Sequence, residues 1–198
     1  SDILIYCNVS NLFPKYNDYT FTISKKLGPQ CCYFPGSDKL GSFCDFIVKL
    51  YAEPEYMERL EKKYQYHLTN KLPGGVCDMT AFWEYQKDYP NCAKDLNNIE
   101  EGQVFDDNIN EGDGFEMEDG KIKRIEMKNG FPFGTLTGTG KQIKFNTLHF
   151  QGVAKKYIYR YYTGKGLHGL KRKLSVDVYL SRHNLLVRIA KRLGYKFT

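Results

Sequence analysis

Hydrophobic residues recur with helical spacing in the first half of the chain. This spacing predicts three helices: one that Ser37 or Asp38 caps, one over residues 53–66 with Pro54 in its first turn, and one over residues 79–87. The apolar face of the first predicted helix consists of Leu40, Phe43, Cys44, Ile47, Leu50 and Tyr51.

Alternation of apolar and polar residues predicts strands at the start of the chain and in its second half. The predicted strands are residues 1–6, 19–24, 121–127 and 141–150. Turn signals at Asn129-Gly130 and at residues 138–140 separate the later strands, and this order is typical of a β-meander. Helices and strands together predict an α/β protein.

Composition excludes two broad classes. The chain has 198 residues and 41% hydrophobic content, which is typical of a folded protein and not of a disordered one. It contains no apolar run of the roughly 20 residues that a transmembrane helix needs. Its length falls in the range of one domain.

The net charge of +6 is unevenly distributed. Residues 155–198 carry twelve Lys or Arg and one acid, Asp177, so this end has a charge of +11 and residues 1–154 have a charge of −5. A basic end attracts anions, and its partners could be nucleotide phosphates, anionic lipids or nucleic acid.

The six cysteines show neither C-x-x-C spacing nor paired Cys/His zinc spacing. We interpret them as buried thiols of a reducing compartment in preference to disulfides, which predicts a cytoplasmic protein.

The string HFQGVAK contains the strongest chemical pattern. It places His149, Gly152 and Lys155 at three-residue intervals, directly after the strand predicted over 141–150. A His ligates divalent metals, a Gly lets the backbone approach a phosphate, and a Lys neutralises that phosphate. Asp2 places a carboxylate at the end of another strand. The alternative for His149 is a core histidine with a backbone partner, and for Lys155 a solvated surface charge.

The segments SDILIY, GVCDMTAFWEY and LHFQGVAK resemble, in this order, those of GT-A-type glycosyltransferases that use nucleotide sugars, especially glycosyltransferase family eight. The resemblance implies the C-terminal part of a GT-A-like mixed sheet flanked by helices. It implies that Asp2, the last residue of an Asp-x-Asp motif, and His149 hold Mn²⁺ or Mg²⁺. Gly152 and Lys155 would then contact the nucleotide diphosphate.

The same resemblance predicts a hexosyltransferase-like enzyme whose substrates are a nucleotide diphosphate sugar and a glycan, protein or lipid acceptor. It implies that the nucleotide-binding half that precedes the motif in this family lies outside the sequence. Asp78 matches a segment whose acidic residue faces the acceptor or the reacting sugar, and Asp78 could equally be a helix N-cap without chemistry. We expect a catalytic portion over residues 1–165 and a basic helical tail over residues 166–198.

Residues 106–119 form the most acidic segment, DDNINEGDGFEMED. A calcium-binding EF-hand loop that starts at Asp106 would need Gly at position 111 and Glu at position 117, where the chain has Glu111 and Met117. The mismatch favours a solvated acidic loop.

The basic end supports two further hypotheses. Residues 181–193 predict a basic amphipathic helix, which either packs on its own domain or lies on an anionic membrane surface. Tyr157, Tyr159, Tyr161 and Tyr162 are interleaved with Lys and Arg, as in single-strand nucleic-acid binders. An alternating strand with one buried face explains the same tyrosines, so we expect no nucleic-acid partner. A non-catalytic interaction module is the other alternative to an enzyme.

Overall fold

The fold combines short strands with helices and is mixed α/β, as predicted. It is seen in a computed structural model that describes residues 3–24, 32–72 and 74–163. The described strands are β1 (Ile3–Ile5), β2 (Phe21–Ile23), β3 (Ala93–Asp95), β4 (Gln103–Phe105), β5 (Met117–Glu118), β6 (Ile122–Lys123), β7 (Ile125–Lys128), β8 (Phe131–Thr135) and β9 (Gln142–His149). The helices are α1 (Val9–Leu12), α2 (Ser37–Ala52), α3 (Pro54–Thr69) and α4 (Asp78–Asp88), together with the 3₁₀ helices Phe13–Tyr16 and Gly152–Arg160.

The chain divides into two compact units. One comprises the first residues, to Tyr6, together with the chain from Glu101 onward, and the other is Cys7–Glu100. We call them the sheet unit and the helical unit. The hydrophobic pattern did not predict this division. The boundary predicted at residue 165 lies outside the described residues, and so does the helix predicted over 181–193.

The sheet unit is built on an antiparallel sheet with the strand order β1, β9, β8, β7, and β4 lies parallel to β9. Asn129 and Gly130, which join β7 to β8, both have positive φ (51° and 82°), as a two-residue type I′ hairpin requires. The predicted β-meander is therefore confirmed in β7, β8 and β9.

A β-bulge interrupts the pairing of β4 with β9. Val104 pairs with Phe145, whereas the next residue, Phe105, pairs with Thr147. Asn146 is therefore the extra residue on β9. The apolar cluster of the sheet unit includes Val104, Ile109, Phe115, Ile122, Ile143, Phe145, Leu148 and Phe150.

The helical unit contains the parallel pair β2 and β3, with α2, α3 and α4 between them in the chain. Its core is aromatic. Phe21, which is fully buried on β2, has four aromatic rings with centroids 5.1–5.7 Å from its own: Phe34, Phe43, Phe82 and Tyr85.

Helix α3 has Pro54 in its first turn, as predicted, whereas two predictions for α2 were wrong. The N-cap of α2 is Gly36, so neither Ser37 nor Asp38 caps the helix. Its buried residues are Phe43, Phe46 and Leu50, while the predicted face members Leu40, Cys44 and Tyr51 are exposed. Of the predicted face, Phe43 and Leu50 are buried and Ile47 packs against the core, so the fully buried stripe, at positions 43, 46 and 50, is narrower than the pattern suggested.

The prediction of buried thiols was also wrong. The five described cysteines are thiols that form no disulfide, as predicted, but Cys32, Cys44 and Cys77 are exposed, and Cys7 and Cys92 are partly exposed. Partial burial raises the pKa of Cys92 to about 11.

The described helices include none with the length and apolar character that crossing a bilayer requires.

Candidate functional site

His149 is the last residue of β9, so the predicted strand ends where the motif requires it. Its partner across the ladder is Ile3 of β1. Asp2, the neighbour of Ile3 in the chain, lies outside the described residues. The structure thus pairs the residue next to Asp2 with His149, and joint coordination of a metal by Asp2 and His149 stays a prediction.

The His149 imidazole has a defined hydrogen-bond partner. The residue is only 4% exposed, and its Nδ1 lies 2.6 Å from the backbone oxygen of Asp107. A carbonyl oxygen only accepts hydrogen bonds, so Nδ1 carries the hydrogen. In the neutral ring the lone pair then resides on Nε2. Metal-binding histidines commonly have this arrangement, in which one ring N–H donates to a protein acceptor and the other ring nitrogen binds the metal.

One continuous segment, residues 106–109, also binds the backbone of His149. The Asp106 carboxylate accepts the His149 N–H through Oδ2 at 3.0 Å. The Ile109 N–H donates to the His149 carbonyl oxygen at 2.9 Å. The segment therefore binds the N–H, the carbonyl oxygen and the imidazole of His149 at the end of β9.

The prediction of a solvated acidic loop was wrong for the first part of 106–119, because Asp106, Asp107 and Asn108 are buried. The Asp106 carboxylate pairs with the ammonium of Lys123 of β6, whose side chain is 1% exposed. Its Nζ donates to Asp106 Oδ1 at 2.7 Å, to Asp113 Oδ2 at 2.8 Å and to the Asn108 carbonyl oxygen at 2.8 Å. A buried ammonium is tolerated when its donors are satisfied in this way.

Burial raises the pKa of the Asp106 carboxyl, because the charged form loses its hydration. The Lys123 ammonium and the His149 N–H act in the opposite direction by stabilising the carboxylate. These partners compensate only in part for the lost hydration, so the pKa of Asp106 stays above its usual range.

Gly152 and Lys155 lie together in the 3₁₀ helix Gly152–Arg160, which begins three residues after His149. Residues three apart in a 3₁₀ helix are eclipsed, so Lys155 lies on the same edge as Gly152. Both are exposed. Gly152 has a φ of +57°, a left-handed conformation that favours glycine. The structure thus brings the three motif residues into one strand end and the turn of helix that follows.

The strand expected for Tyr157 to Tyr162 was wrong, since a 3₁₀ helix extends to Arg160. Tyr161 is buried and stacks on Phe150, with ring centroids 5.9 Å apart. Tyr157 packs against the apolar cluster and has Lys156 and Arg160 over its ring. Packing within the unit thus accounts for Tyr157 and Tyr161, whereas Tyr162 is 39% exposed, and the expectation of no nucleic-acid partner stays a prediction.

Asp78 belongs to the helical unit, where it is the first residue of α4. The N-cap is Cys77, whose backbone N–H donates to Thr80 Oγ1 at 3.0 Å, so the N-cap interpretation of Asp78 was wrong. Its catalytic role stays a prediction. Phe82 and Trp83 of α4 pack against the core of the helical unit.

Within the residues that the structure describes, no group of three or more His, Cys, Asp or Glu side chains is arranged to hold a metal ion. Asp2 lies outside that part of the chain. Comparisons with protein-family models, curated proteins and solved structures gave no match. The resemblance to glycosyltransferases therefore stays a prediction.

Proposed function

We propose that this chain is the metal-dependent portion of a GT-A-type glycosyltransferase, which transfers a sugar from a nucleotide diphosphate sugar to an acceptor. The observation that carries the proposal is the hydrogen bond between His149 Nδ1 and the Asp107 carbonyl oxygen, which leaves Nε2 as a ligand atom. Three residues after that imidazole comes a glycine in the left-handed conformation, and three residues later an exposed lysine on the same helix edge.

In this proposal Asp2 and His149 hold Mn²⁺ or Mg²⁺. A divalent cation supplies Lewis-acid stabilisation of the negative charge on the departing diphosphate. The Asp107 carbonyl keeps the proton at Nδ1, so Nε2 of the neutral ring stays unprotonated and can bind the cation. Burial of the ring excludes water from its faces.

The remaining roles belong to residues around the phosphates and the acceptor. Gly152 has no side chain to block an approaching phosphate oxygen, and a Cβ at this position would meet open space. The Lys155 ammonium neutralises a phosphate oxygen. For Asp78, the resemblance implies a role in orienting the acceptor hydroxyl or the reacting sugar.

Other features of the proposal come from the resemblance and the charge pattern. The nucleotide-binding half of the family would complete the site, and the basic segment over 181–193 would allow contact with an anionic membrane. A cytoplasmic location fits such a protein. The acceptor would be a glycan, a protein or a lipid.

We expect His149→Ala to weaken metal-dependent nucleotide binding about tenfold or more, which corresponds to about 1.4 kcal/mol. The reason is the loss of a ligand atom. The measurement is calorimetric titration with Mn²⁺ and a panel of nucleoside diphosphates. His67→Ala, a histidine replacement on α3, serves as the matched control and should bind as the parent does. Equal binding by both variants would contradict the proposal, and no nucleotide binding by the parent would favour the non-catalytic interaction module.

A second prediction compares neighbouring lysines on the Gly152–Arg160 helix. Lys155→Ala should weaken nucleoside diphosphate binding about tenfold while leaving the affinity for Mn²⁺ alone unchanged, because Lys155 acts on the phosphates. Lys156 is also exposed, but it lies one position past the helix edge that Gly152 and Lys155 share. Lys156→Ala should therefore retain the parent's nucleotide affinity in the same titration. Equal losses in the two variants would indicate general electrostatic attraction and not a phosphate contact.

A further inference from the structure

Asp106 provides the side-chain contact that the 106–109 segment makes with His149. Its carboxylate is fully buried and bridges two groups: Oδ2 accepts the His149 N–H and Oδ1 accepts from the Lys123 ammonium. The other two contacts of the segment with His149 come from backbone groups. A substitution of Asp106 can therefore test the role of the segment.

Lys123 anchors the segment on both sides of Asp107. It binds the Asp106 carboxylate at 2.7 Å and the Asn108 carbonyl oxygen at 2.8 Å. The peptide between these anchors contains the Asp107 carbonyl, the acceptor of the His149 Nδ1–H. Fixing the residue before and the residue after Asp107 fixes where that carbonyl points.

Stability alone is a weak explanation for this arrangement. A buried ion pair loses the hydration of both charges, and apolar residues of similar volume often give equal or greater stability. The pair lies directly against the backbone of His149, where an apolar replacement would leave the N–H without its acceptor.

We propose that Asp106 is a positioning residue: together with Lys123 it holds the 106–109 segment so that His149 is kept in the Nδ1–H tautomer with Nε2 presented to a ligand. This inference rests on the proposed function for the identity of the ligand, a divalent cation. The tautomer itself is a property of the chain and is measurable without any ligand.

The first test uses the unmodified protein. Long-range ¹H–¹⁵N correlation spectra of ¹⁵N-histidine-labelled protein distinguish a protonated Nδ1 from a protonated Nε2 in each ring. The chain has four histidines, and comparison with His149→Ala assigns the signal. We expect a single Nδ1–H tautomer at neutral pH. A protonated Nε2 with a bare Nδ1 would overturn the proposal, whatever the variants show.

The second test compares Asp106→Asn with Asp113→Asn. Both remove a carboxylate from Lys123, since Asp113 Oδ2 also lies 2.8 Å from its Nζ, but the Asp113 variant leaves the contact with His149 intact. For Asp106→Asn we expect a mixed or Nε2–H tautomer and a Mn²⁺ affinity lowered about tenfold or more, measured by the electron paramagnetic resonance of free Mn²⁺. Asp113→Asn should retain the parent tautomer and affinity.

The outcomes separate the two proposals. If the parent binds Mn²⁺ and Asp106→Asn keeps both the tautomer and the affinity, the positioning role is wrong and the proposed function stands. If the two variants lose affinity equally, the effect is general destabilisation and the positioning role is wrong. If the parent binds no Mn²⁺, the proposed function fails, while the tautomer shift in Asp106→Asn still decides the positioning role.

Discussion

Lys123→Ala is expected to lower the free energy of unfolding of the sheet unit by about 3–5 kcal/mol. The substitution leaves the buried Asp106 carboxylate without its cation and removes one of two donors to the Asn108 carbonyl oxygen, where the Glu111 N–H remains. A buried charge without its partner bears the full cost of its lost hydration, and neighbouring side chains do not compensate for that cost.

Amide hydrogen exchange of β9 residues, followed by NMR, is a suitable measurement for this variant because it reports on the sheet unit directly. Lys128→Ala is the matched control. Lys128 is a partly exposed lysine of β7 that bonds to Gln142 and lies near Glu126, and its loss should change stability by less than about 1 kcal/mol. Similar losses in both variants would show that the buried ammonium has no special role in stability.

Phe21→Ala is expected to destabilise the helical unit by about 3–5 kcal/mol. Phe21 is fully buried at the centre of the aromatic cluster, and its removal leaves a cavity that four surrounding rings are too rigid to fill. The single tryptophan, Trp83, packs against this core, so urea unfolding followed by tryptophan fluorescence reports on the helical unit.

The matched control for Phe21→Ala is Phe131→Ala on β8. Phe131 is 38% exposed and contributes to no buried cluster of the described residues. Its replacement should leave the fluorescence transition unchanged. A midpoint for Phe21→Ala that coincides with that of the control would show that the aromatic cluster relaxes freely around the lost ring.

Local patterns predicted the elements whose apolar residues repeat over several turns or pairs. Helix α3 with Pro54 at its start, the meander of β7 to β9 and the end of β9 at His149 all follow from period and turn chemistry. The cap and the buried face of α2 do not follow from the local pattern, because tertiary contacts decide which residues of this helix are buried. The Gly152–Arg160 helix was missed since its tyrosines also fit a period of two.

The candidate site was only partly predictable. The motif located His149, Gly152 and Lys155 in one short segment, but it contained no signal for the 106–109 segment. Burial of Asp106 depends on Lys123, seventeen positions later in the chain. A pairing across that distance produces no periodic pattern in the sequence. The apolar residues Val104, Phe105 and Ile109 around the acids were the one available indication that the segment enters the interior.

The bulge at Asn146 determines which face of the sheet carries the imidazole. Ile143 and Phe145 point into the apolar cluster, and uninterrupted alternation would send His149 after them. The extra residue exchanges odd for even positions, so Leu148 and Phe150 occupy the cluster instead. A single inserted residue thus reverses the inward and outward alternation of β9 after Asn146. The His149 ring, which would otherwise enter the apolar cluster, lies on the opposite face of the sheet beside Ile3.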